Sequence, residues 1–162
     1  MRTLKALPLL PLLLHAAGWT QITAPGDVRR TTSEKFIGQF EPSTTVGLPI
    51  FSSDRRHMAY VAQVGSKRFV VLDGKKEKSY DGIVAGSLVF SPDSRRVAYW
   101  AAVGQTRFVV VDGKEGKSYD GSPKGTRIVF DSANALHYIA FKMKAKAGNT
   151  SLDVFLVEET ID

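Results

Sequence analysis

Short apolar runs separated by polar turns dominate the chain from residue 48 onwards. Residues 58–64 and 97–103 form runs of seven, and residues 69–72 and 108–111 form runs of four. Runs of this length that are rich in valine and aromatic residues predict β-strands. Because these runs are apolar on both faces rather than at alternate positions, we expect both faces of their sheets to be covered.

The pattern recurs because the sequence itself is repeated. Residues 51–82 and 90–121 align without gaps at a spacing of 39 residues and are identical at 21 of 32 positions. A third, degenerate copy begins at Phe130 and resumes at Val154, which we align with Phe108 of the second copy. A repeat of about 40 residues predicts structural units that stack on one another.

Each of the first two copies predicts four antiparallel strands. In the second copy they are residues 88–90, 97–103, 108–111 and 117–120, and in the first copy they are residues 48–51, 58–64, 69–72 and 78–81. Ser-Pro-Asp-Ser favours a turn after the first strand, and Asp-Gly favours a hairpin turn after the third. Strands that are apolar in the middle and polar at one edge are typical of β-propeller blades, which bury both faces by stacking. We therefore predict an all-β fold of about three four-stranded antiparallel blades, at residues 47–85, 86–124 and 125–162.

Residues 90–99, FSPDSRRVAY, carry a family resemblance. They resemble the WD40-like, TolB-type β-propeller repeat, whose motif reads F-S-P-D-G/S-x-x-hydrophobic-A-F/Y. The resemblance covers residues 47–158, although the first copy has Ser53 in place of the proline and residues 131–134 replace the S-P-D turn in the third. It implies a propeller that serves as an interaction platform and is often exported, and it does not imply one activity.

Three copies are fewer than the about 4–8 blades of natural propellers. The last copy has no fourth strand after residues 154–158, whereas residues 36–40, FIGQF, lie where a fourth strand would precede the first copy. One hypothesis is a strand exchange in which residues 36–40 complete the terminal blade, within one chain or in a homo-oligomer of two chains with six blades. The alternative is an open stack of three sheets with a covered end.

The first 18 residues follow a different pattern. Arg2 and Lys5 precede an apolar stretch at residues 6–14 and small residues at 16–18, which is the order of a secretory signal peptide. The stretch is shorter than the about 20 residues that a membrane-spanning helix needs. We predict no transmembrane span and export to the periplasm or the medium, with residues 19–46 as an N-terminal extension; a cytoplasmic protein is the alternative. Cleavage would remove two cations and lower the net charge from +6 to +4.

Composition and motifs argue against several classes of catalytic, metal and cofactor site. The chain has no cysteine, which excludes disulfides, cysteine nucleophiles and thiolate metal sites. His15, His57 and His137 lack the spacing of metal ligands, and local spacing gives none of them a carboxylate partner. Nucleophile-elbow, phosphate-loop and dinucleotide motifs are absent from the sequence. We therefore expect no catalytic residue, no metal and no cofactor.

Other polar and aromatic residues recur once per copy. The recurring carboxylates are Asp54 with Asp93, Asp73 with Asp112, and Asp81 with Asp120, and the recurring aromatics are Tyr60 with Tyr99, Phe69 with Phe108, and Tyr80 with Tyr119. Catalysis by carboxylates needs two differently tuned groups in one pocket, so recurrence favours structural roles in turns. Recurring aromatics favour packing between blades.

Cations gather at two kinds of turn. An up-and-down path through four strands places the first–second and third–fourth turns at the same end of a blade. The basic residues at these turns are Arg55, Arg56, Arg95, Arg96, Lys75, Lys76 and Lys114. We expect them to share one face, which either is simply solvated or binds an acidic protein or a glycan phosphate. Acidic neighbours argue against nucleic acid. Residues 142–148 form a separate insertion that predicts a mobile basic loop.

These observations predict a non-enzymatic, exported propeller-type repeat protein that acts as a protein-interaction module. One alternative is an enzyme, such as a lyase or hydrolase, with a site in the propeller centre. That site would need polar residues on the first strands, which carry Ile50, Val89 and Val129 instead. Another alternative is a truncated propeller paralogue without a distinct activity.

Overall fold

The structure is a computed structural model that describes residues 30–37, 39, 41–44, 46–146 and 149–162. Within these residues the chain forms twelve β-strands, all of them in the compact unit Lys35–Asp162. No helix occurs in the part described, and hence none that is long and apolar enough to cross a membrane. The predicted signal peptide at residues 1–18 lies outside the described residues.

The strands form three antiparallel sheets, one for each copy of the repeat. Sheet 1 contains β1 (Ile50–Phe51), β2 (Met58–Val64), β3 (Lys67–Leu72) and β4 (Lys75–Lys76), in that order. Sheet 2 contains β5 (Gly82–Ile83), β6 (Val89–Phe90), β7 (Val97–Val103), β8 (Thr106–Val111) and β9 (Lys114–Glu115), with β5 and β6 both paired to β7. Sheet 3 contains β10 (Val129–Ser132), β11 (Ala135–Lys146) and β12 (Asn149–Thr160). The all-β, antiparallel prediction is confirmed.

The fourth strands of sheets 1 and 2 begin earlier than the sequence predicts. We expected residues 78–81 and 117–120, but β4 and β9 follow directly after their Asp-Gly turns. Within the segments that we predicted as fourth strands, Tyr80 forms an isolated bridge to Arg68, and Tyr119 forms one to Arg107. The chain then crosses to the next sheet, where β5 pairs with β7. The polar residues of β4 and β9 carry no alternation of apolar and polar side chains, so the sequence could not show where these strands pair.

The third copy also departs from its predicted alignment. Phe155 pairs with Ala140 as Phe108 pairs with Ala101, so Phe155 and not Val154 corresponds to Phe108. A shift of one residue in the alignment moves every side chain of the strand to the opposite face of the sheet. The prediction of a mobile basic loop is also wrong for the described residues. Lys142–Lys146 pairs with Asn149–Asp153 and lengthens the β11–β12 hairpin.

The three sheets pack face to face, as the doubly apolar strands predict. We call the side of each sheet that carries Tyr60, Tyr99 or Tyr138 its front face, and the opposite side its back face. The back of sheet 1 packs on the front of sheet 2, and the back of sheet 2 packs on the front of sheet 3. Burying a large apolar side chain stabilises the fold by about 1.5–3 kcal/mol, so these two interfaces form the core.

Four of the six recurring aromatic residues, Tyr80, Tyr99, Phe108 and Tyr119, join neighbouring sheets, and for these the predicted packing role is confirmed. The Tyr80 ring meets Tyr99 and Phe108 edge-on, with centroids 6.2 and 5.8 Å apart. Trp100 meets Tyr138 in the same manner at 5.0 Å. Such edge-to-face contacts contribute about 0.5–1.5 kcal/mol beyond burial alone.

The front face of sheet 1 is covered by residues that precede the first copy. Ile37 packs on the cluster that contains Tyr60 and Phe69, and the Tyr60 hydroxyl donates a hydrogen bond of 3.0 Å to the carbonyl of Gln39. Residues 36, 37 and 39 form no strand here. The predicted exchange of residues 36–40 requires partners on the terminal sheet, and it stays a prediction.

Candidate interaction surfaces

The first–second turns of sheets 1 and 2 are built by a serine and an aspartate two residues apart. Ser52 Oγ donates to Asp54 Oδ1 at 2.6 Å, and Ser91 Oγ donates to Asp93 Oδ1 at 2.6 Å. The same carboxylate oxygens accept backbone N–H groups two residues later, which is the local bonding that makes aspartate a turn residue. The serine hydrogen bonds lower the pKa values of Asp54 and Asp93 below the ordinary value.

The third–fourth turns lie beside these first–second turns. Asp73 Oδ1 accepts the Met58 N–H at 2.9 Å, and Asp112 Oδ1 accepts the Val97 N–H at 3.0 Å. Each bond joins the residue after the third strand to the first residue of the second strand. The prediction that both kinds of turn lie at the same end of a sheet is therefore confirmed.

Turns of neighbouring sheets also contact one another. The Asp54 N–H donates to Ser94 Oγ at 3.1 Å, which joins sheets 1 and 2. Arg96 Nε donates to the Ala133 carbonyl at 3.1 Å and joins sheets 2 and 3. We call the surface formed by residues 52–57, 73–76, 91–96, 112–114 and 131–134 the turn surface.

Two of the seven predicted cations have intramolecular roles. Arg96 Nη1 pairs with Asp112 Oδ2 at 3.0 Å, and its Nη2 donates to Asn134 Oδ1 at 3.1 Å. Lys76 Nζ lies 4.1 Å from the centroid of the Phe69 ring, a cation–π contact. Lys76 is nevertheless exposed, as are the other five side chains, of which Arg95 makes a long ion pair of 3.9 Å with Asp93. The five are Arg55, Arg56, Lys75, Arg95 and Lys114.

Both described histidines have carboxylate partners, contrary to the sequence expectation. His57 Nδ1 lies 2.7 Å from Asp73 Oδ2, and His137 Nδ1 lies 2.8 Å from Asp131 Oδ2. His57 is opposite Asp73 because the two turns of sheet 1 adjoin, and His137 is opposite Asp131 across the β10–β11 hairpin. Asp73 is 16 residues from His57 and Asp131 is six residues from His137, and both pairs form only through the pairing of strands, which local spacing does not show.

The third recurring carboxylate acts at the opposite ends of the sheets. The Asp81 carboxylate accepts a hydrogen bond from Lys67 Nζ of sheet 1. It also accepts one from the Gly104 N–H of sheet 2 at 2.7 Å. The hydrogen bond from Lys67 lowers the pKa of Asp81. Asp120 accepts the Met143 N–H of sheet 3 at 2.6 Å. These aspartates therefore join neighbouring sheets. The role in turns expected of the recurring carboxylates is confirmed for Asp54, Asp93, Asp73 and Asp112, and the third pair has a different structural role.

A cavity of about 270 Å³ lies beside the first-strand segments of sheets 1 and 2. Its lining includes Leu48, Ile50, Val61, Ile83 and Leu88, and all its lining residues are apolar or glycine. Acid–base chemistry requires titratable groups within reach of a substrate, and this lining offers none. Among the described residues, no group of three or more histidine, aspartate or glutamate residues could hold a metal ion.

The back face of sheet 3 is a second candidate surface, which the sequence did not reveal as exposed. Its exposed apolar side chains are Val129, Met143, Leu152, Val154 and Leu156. A large exposed apolar patch is a mark of an interaction site. The sequence alignment of Val154 with Phe108 put Val154 and Leu156 on the face that carries Phe108 and Val110, whereas the pairing of β12 with β11 puts them on the opposite face.

Comparisons with known proteins add little to these surfaces. No protein-family model matches the chain, and no curated protein matches it. A solved structure of KlHsv2 with loop 6CD replaced by a Gly-Ser linker aligns with 70% of this chain at 17% identity and a TM-score of 0.34. The alignment spans 44% of that protein, and similarity at this level carries no argument about fold or function.

Proposed function

We propose that this chain is a non-enzymatic, exported β-propeller-type repeat protein whose turn surface binds an acidic protein. The observation that carries the proposal is the set of five exposed cations on that surface. Arg95 is the clearest of them, because 85% of its side chain is exposed and its nearest carboxylate oxygen, on Asp93, lies 3.9 Å from Nε. Cations placed in this way attract an acidic partner and orient it as it approaches.

The carboxylates of the turn surface are already hydrogen-bonded within the chain. Asp54 and Asp93 accept from serine hydroxyls and backbone N–H groups. Asp73 and Asp112 accept backbone N–H groups and lie against His57 and Arg96. The serine and backbone donors engage Oδ1 of each carboxylate. Asp93 Oδ2 lies 3.9 Å from Arg95 Nε, beyond hydrogen-bonding distance, so Arg95 remains available to a partner.

The stacked sheets support this role by holding the turns in place. The N–H of Asp54 and the guanidinium of Arg96 fasten each turn to the turn of the next sheet. A site that is carried by fastened turns loses less conformational entropy on binding than one carried by free loops. In our interpretation the three sheets are propeller blades, in line with the F-S-P-D-S motif that builds the turn at residues 90–94.

A charge-reversal experiment tests the proposed surface. The purified chain is titrated into a fluorescent oligoglutamate peptide, and binding is followed by anisotropy at low and at physiological salt. Arg55→Glu/Arg95→Glu is expected to weaken binding by about tenfold or more, because two attractive contacts become repulsive. The same two proteins serve as bait for capture from periplasmic or secreted extract of the source cells.

A matched control separates the surface from net charge alone. Lys124 and Arg127 are exposed and lie outside the turn surface, so Lys124→Glu/Arg127→Glu changes net charge equally. We expect this control to bind the peptide almost as well as the unmodified chain. Equal losses in both double variants would contradict the proposal. Tighter binding to duplex DNA than to the acidic peptide, with a steep dependence on salt, would replace it with a nucleic-acid function.

A further inference from the structure

The back face of sheet 3 repeats surfaces that are buried elsewhere in the chain. Leu156 pairs with Ile139 as Val109 pairs with Trp100 and Val70 with Val61, so these are corresponding positions. Val70 and Val109 are fully buried because the next sheet packs on them, whereas Leu156 is 61% exposed. Sheet 3 therefore presents the face that sheets 1 and 2 use for stacking, with no sheet of the described residues upon it.

The outer edge of β12 lacks a partner that the other sheets have. In sheet 1, β4 pairs with β3 and Tyr80 bridges to Arg68; in sheet 2, β9 pairs with β8 and Tyr119 bridges to Arg107. No described strand pairs with the corresponding edge of β12. An edge of unpaired backbone groups beside an apolar face favours the addition of a strand.

The chain itself carries a surface complementary to this face and edge. The Tyr99 hydroxyl donates to Glu77 Oε2, just after the fourth strand of sheet 1, at 2.7 Å. At the corresponding position, the Tyr60 hydroxyl donates to the carbonyl of Gln39. Ile37 and Gln39 thus lie before the front of sheet 1 as the end of a preceding fourth strand would. The pairing that follows also repeats, since the Val46 N–H donates to Val61 and the Val84 N–H to Trp100.

We propose that a second copy of this chain covers the back face of sheet 3. In this arrangement residues 36–40 of the second copy add to the free edge of β12 as a fourth strand. Leu156 and its neighbours pack on the front side of that copy's sheet 1, which corresponds to the contact made twice within the chain. The side chains of that front face are already buried in one copy, with Tyr60 6% exposed, so this contact displaces residues that now cover them. Ile37 and Gln39 can keep the positions they have now, because they lie where the end of that fourth strand is needed.

The smallest closed assembly that this contact allows between separate chains has two copies. The contact is heterologous, because the last sheet of one copy meets the first sheet of another. Two such contacts related by a two-fold axis close a ring of six sheets, whereas a contact that does not close would generate open filaments. This proposal is independent of what the turn surface binds.

The mass of the chain in solution tests the proposal. By sedimentation equilibrium from low to high micromolar concentration, we expect twice the mass of the single chain that is studied, which is 17.7 kDa when all 162 residues are present. Val154→Lys/Leu156→Lys introduces two charges into the contact and is expected to give single chains with an unchanged circular dichroism spectrum, since both side chains are exposed in one copy. Val103→Lys, at a position that is 48% exposed at the end of β7 in sheet 2 and outside the proposed contact, is expected to remain a dimer.

Several results would overturn the proposal. A single-chain mass throughout the concentration range would do so, and so would a Val154→Lys/Leu156→Lys variant that dimerises as the unmodified chain does. Cysteine cross-linking tests the orientation, because the chain has no cysteine of its own. Phe36→Cys/Glu158→Cys is expected to form covalent dimers under oxidation while each single variant does not. Efficient dimers from Glu158→Cys alone would show a back-to-back contact and contradict the arrangement.

Discussion

Arg95 and Arg96 are adjacent in the second copy, but their side chains have different environments. Arg96 donates to Ala133, Asn134 and Asp112 and so fastens the turn of sheet 2 to the turn of sheet 3. Arg95 extends into solvent. The two residues were predicted together as members of one basic face, and only the partners on sheet 3 distinguish them. Those partners lie 37 and 38 residues away in sequence.

The difference predicts unequal effects on stability. Arg96→Ala is expected to lower the free energy of unfolding by about 1–2 kcal/mol, because hydrogen bonds from a charged donor are lost and partly exposed groups can rebind water. Arg95→Ala is expected to change it by less than about 0.5 kcal/mol. Urea unfolding followed by circular dichroism measures both values. Equal values for the two variants would contradict the structural role assigned to Arg96.

The serine–aspartate turns predict a dependence of stability on acid. The pKa of Asp93 is below its ordinary value of 3.8, chiefly because Ser91 donates to the carboxylate. The folded state therefore favours the charged form, and the stabilisation is complete above the unfolded pKa and lost as the pH falls through the folded pKa. Asp93→Asn should lack this component, so below about pH 4 its unfolding free energy should fall less steeply than that of the unmodified chain. If the unfolding free energies of the variant and the unmodified chain fell in parallel from neutral pH to about pH 3, the stabilising role of the Asp93 carboxylate would be contradicted.

Whole elements were predicted with unequal success, for physical reasons. The bounds predicted for residues 58–64 and 97–103 coincide with β2 and β7, because both faces of these strands are apolar and polar turns bound them. The fourth strands were misplaced because lysine and glutamate side chains at an exposed edge carry no pattern. In β12, apolar side chains on both faces left two registers equally plausible, and only pairing with β11 distinguishes them.

Two glycines at corresponding positions offer a matched test of how the sheets are joined. A Cβ atom at Gly121 would lie 2.6 Å from Phe141 Cζ, whereas at Gly82 it would lie 3.7 Å from Ala102 Cβ. Gly121→Ala is therefore expected to cost about 1–3 kcal/mol of unfolding free energy, because the Phe141 ring must move. Gly82→Ala makes an ordinary contact and is expected to be neutral or to stabilise by about 0.4–1 kcal/mol.

Thermal and urea unfolding of the two glycine variants provide the comparison. A third variant, Gly121→Ala with Phe141→Leu, is expected to recover part of the loss, because the smaller side chain frees the space that the new methyl group needs. If Gly121→Ala were as stable as Gly82→Ala, the close approach of residue 121 to β11 would be wrong.

For the molecule as a whole, repetition made the arrangement of the turns predictable. Four antiparallel strands in sequence must place alternate turns at one end, and the structure has them there in sheets 1 and 2. Which cations remain free was not predictable, because Lys76 lies over the Phe69 ring and Arg96 bonds a neighbouring sheet. The proposed function depends on the exposed cations that make neither of these contacts. They are Arg55, Arg56, Lys75, Arg95 and Lys114.

A nuclear magnetic resonance titration tests that function most directly, because it reports binding and location together. The labelled chain is titrated with the oligoglutamate peptide, and amide shifts are followed residue by residue. We predict changes concentrated at residues 53–56, 74–76, 93–96 and 112–114, reduced in Arg55→Glu/Arg95→Glu and kept in Lys124→Glu/Arg127→Glu. Changes confined to residues 122–128 or to the hairpin beyond Phe141, or none at saturating peptide, would contradict the account.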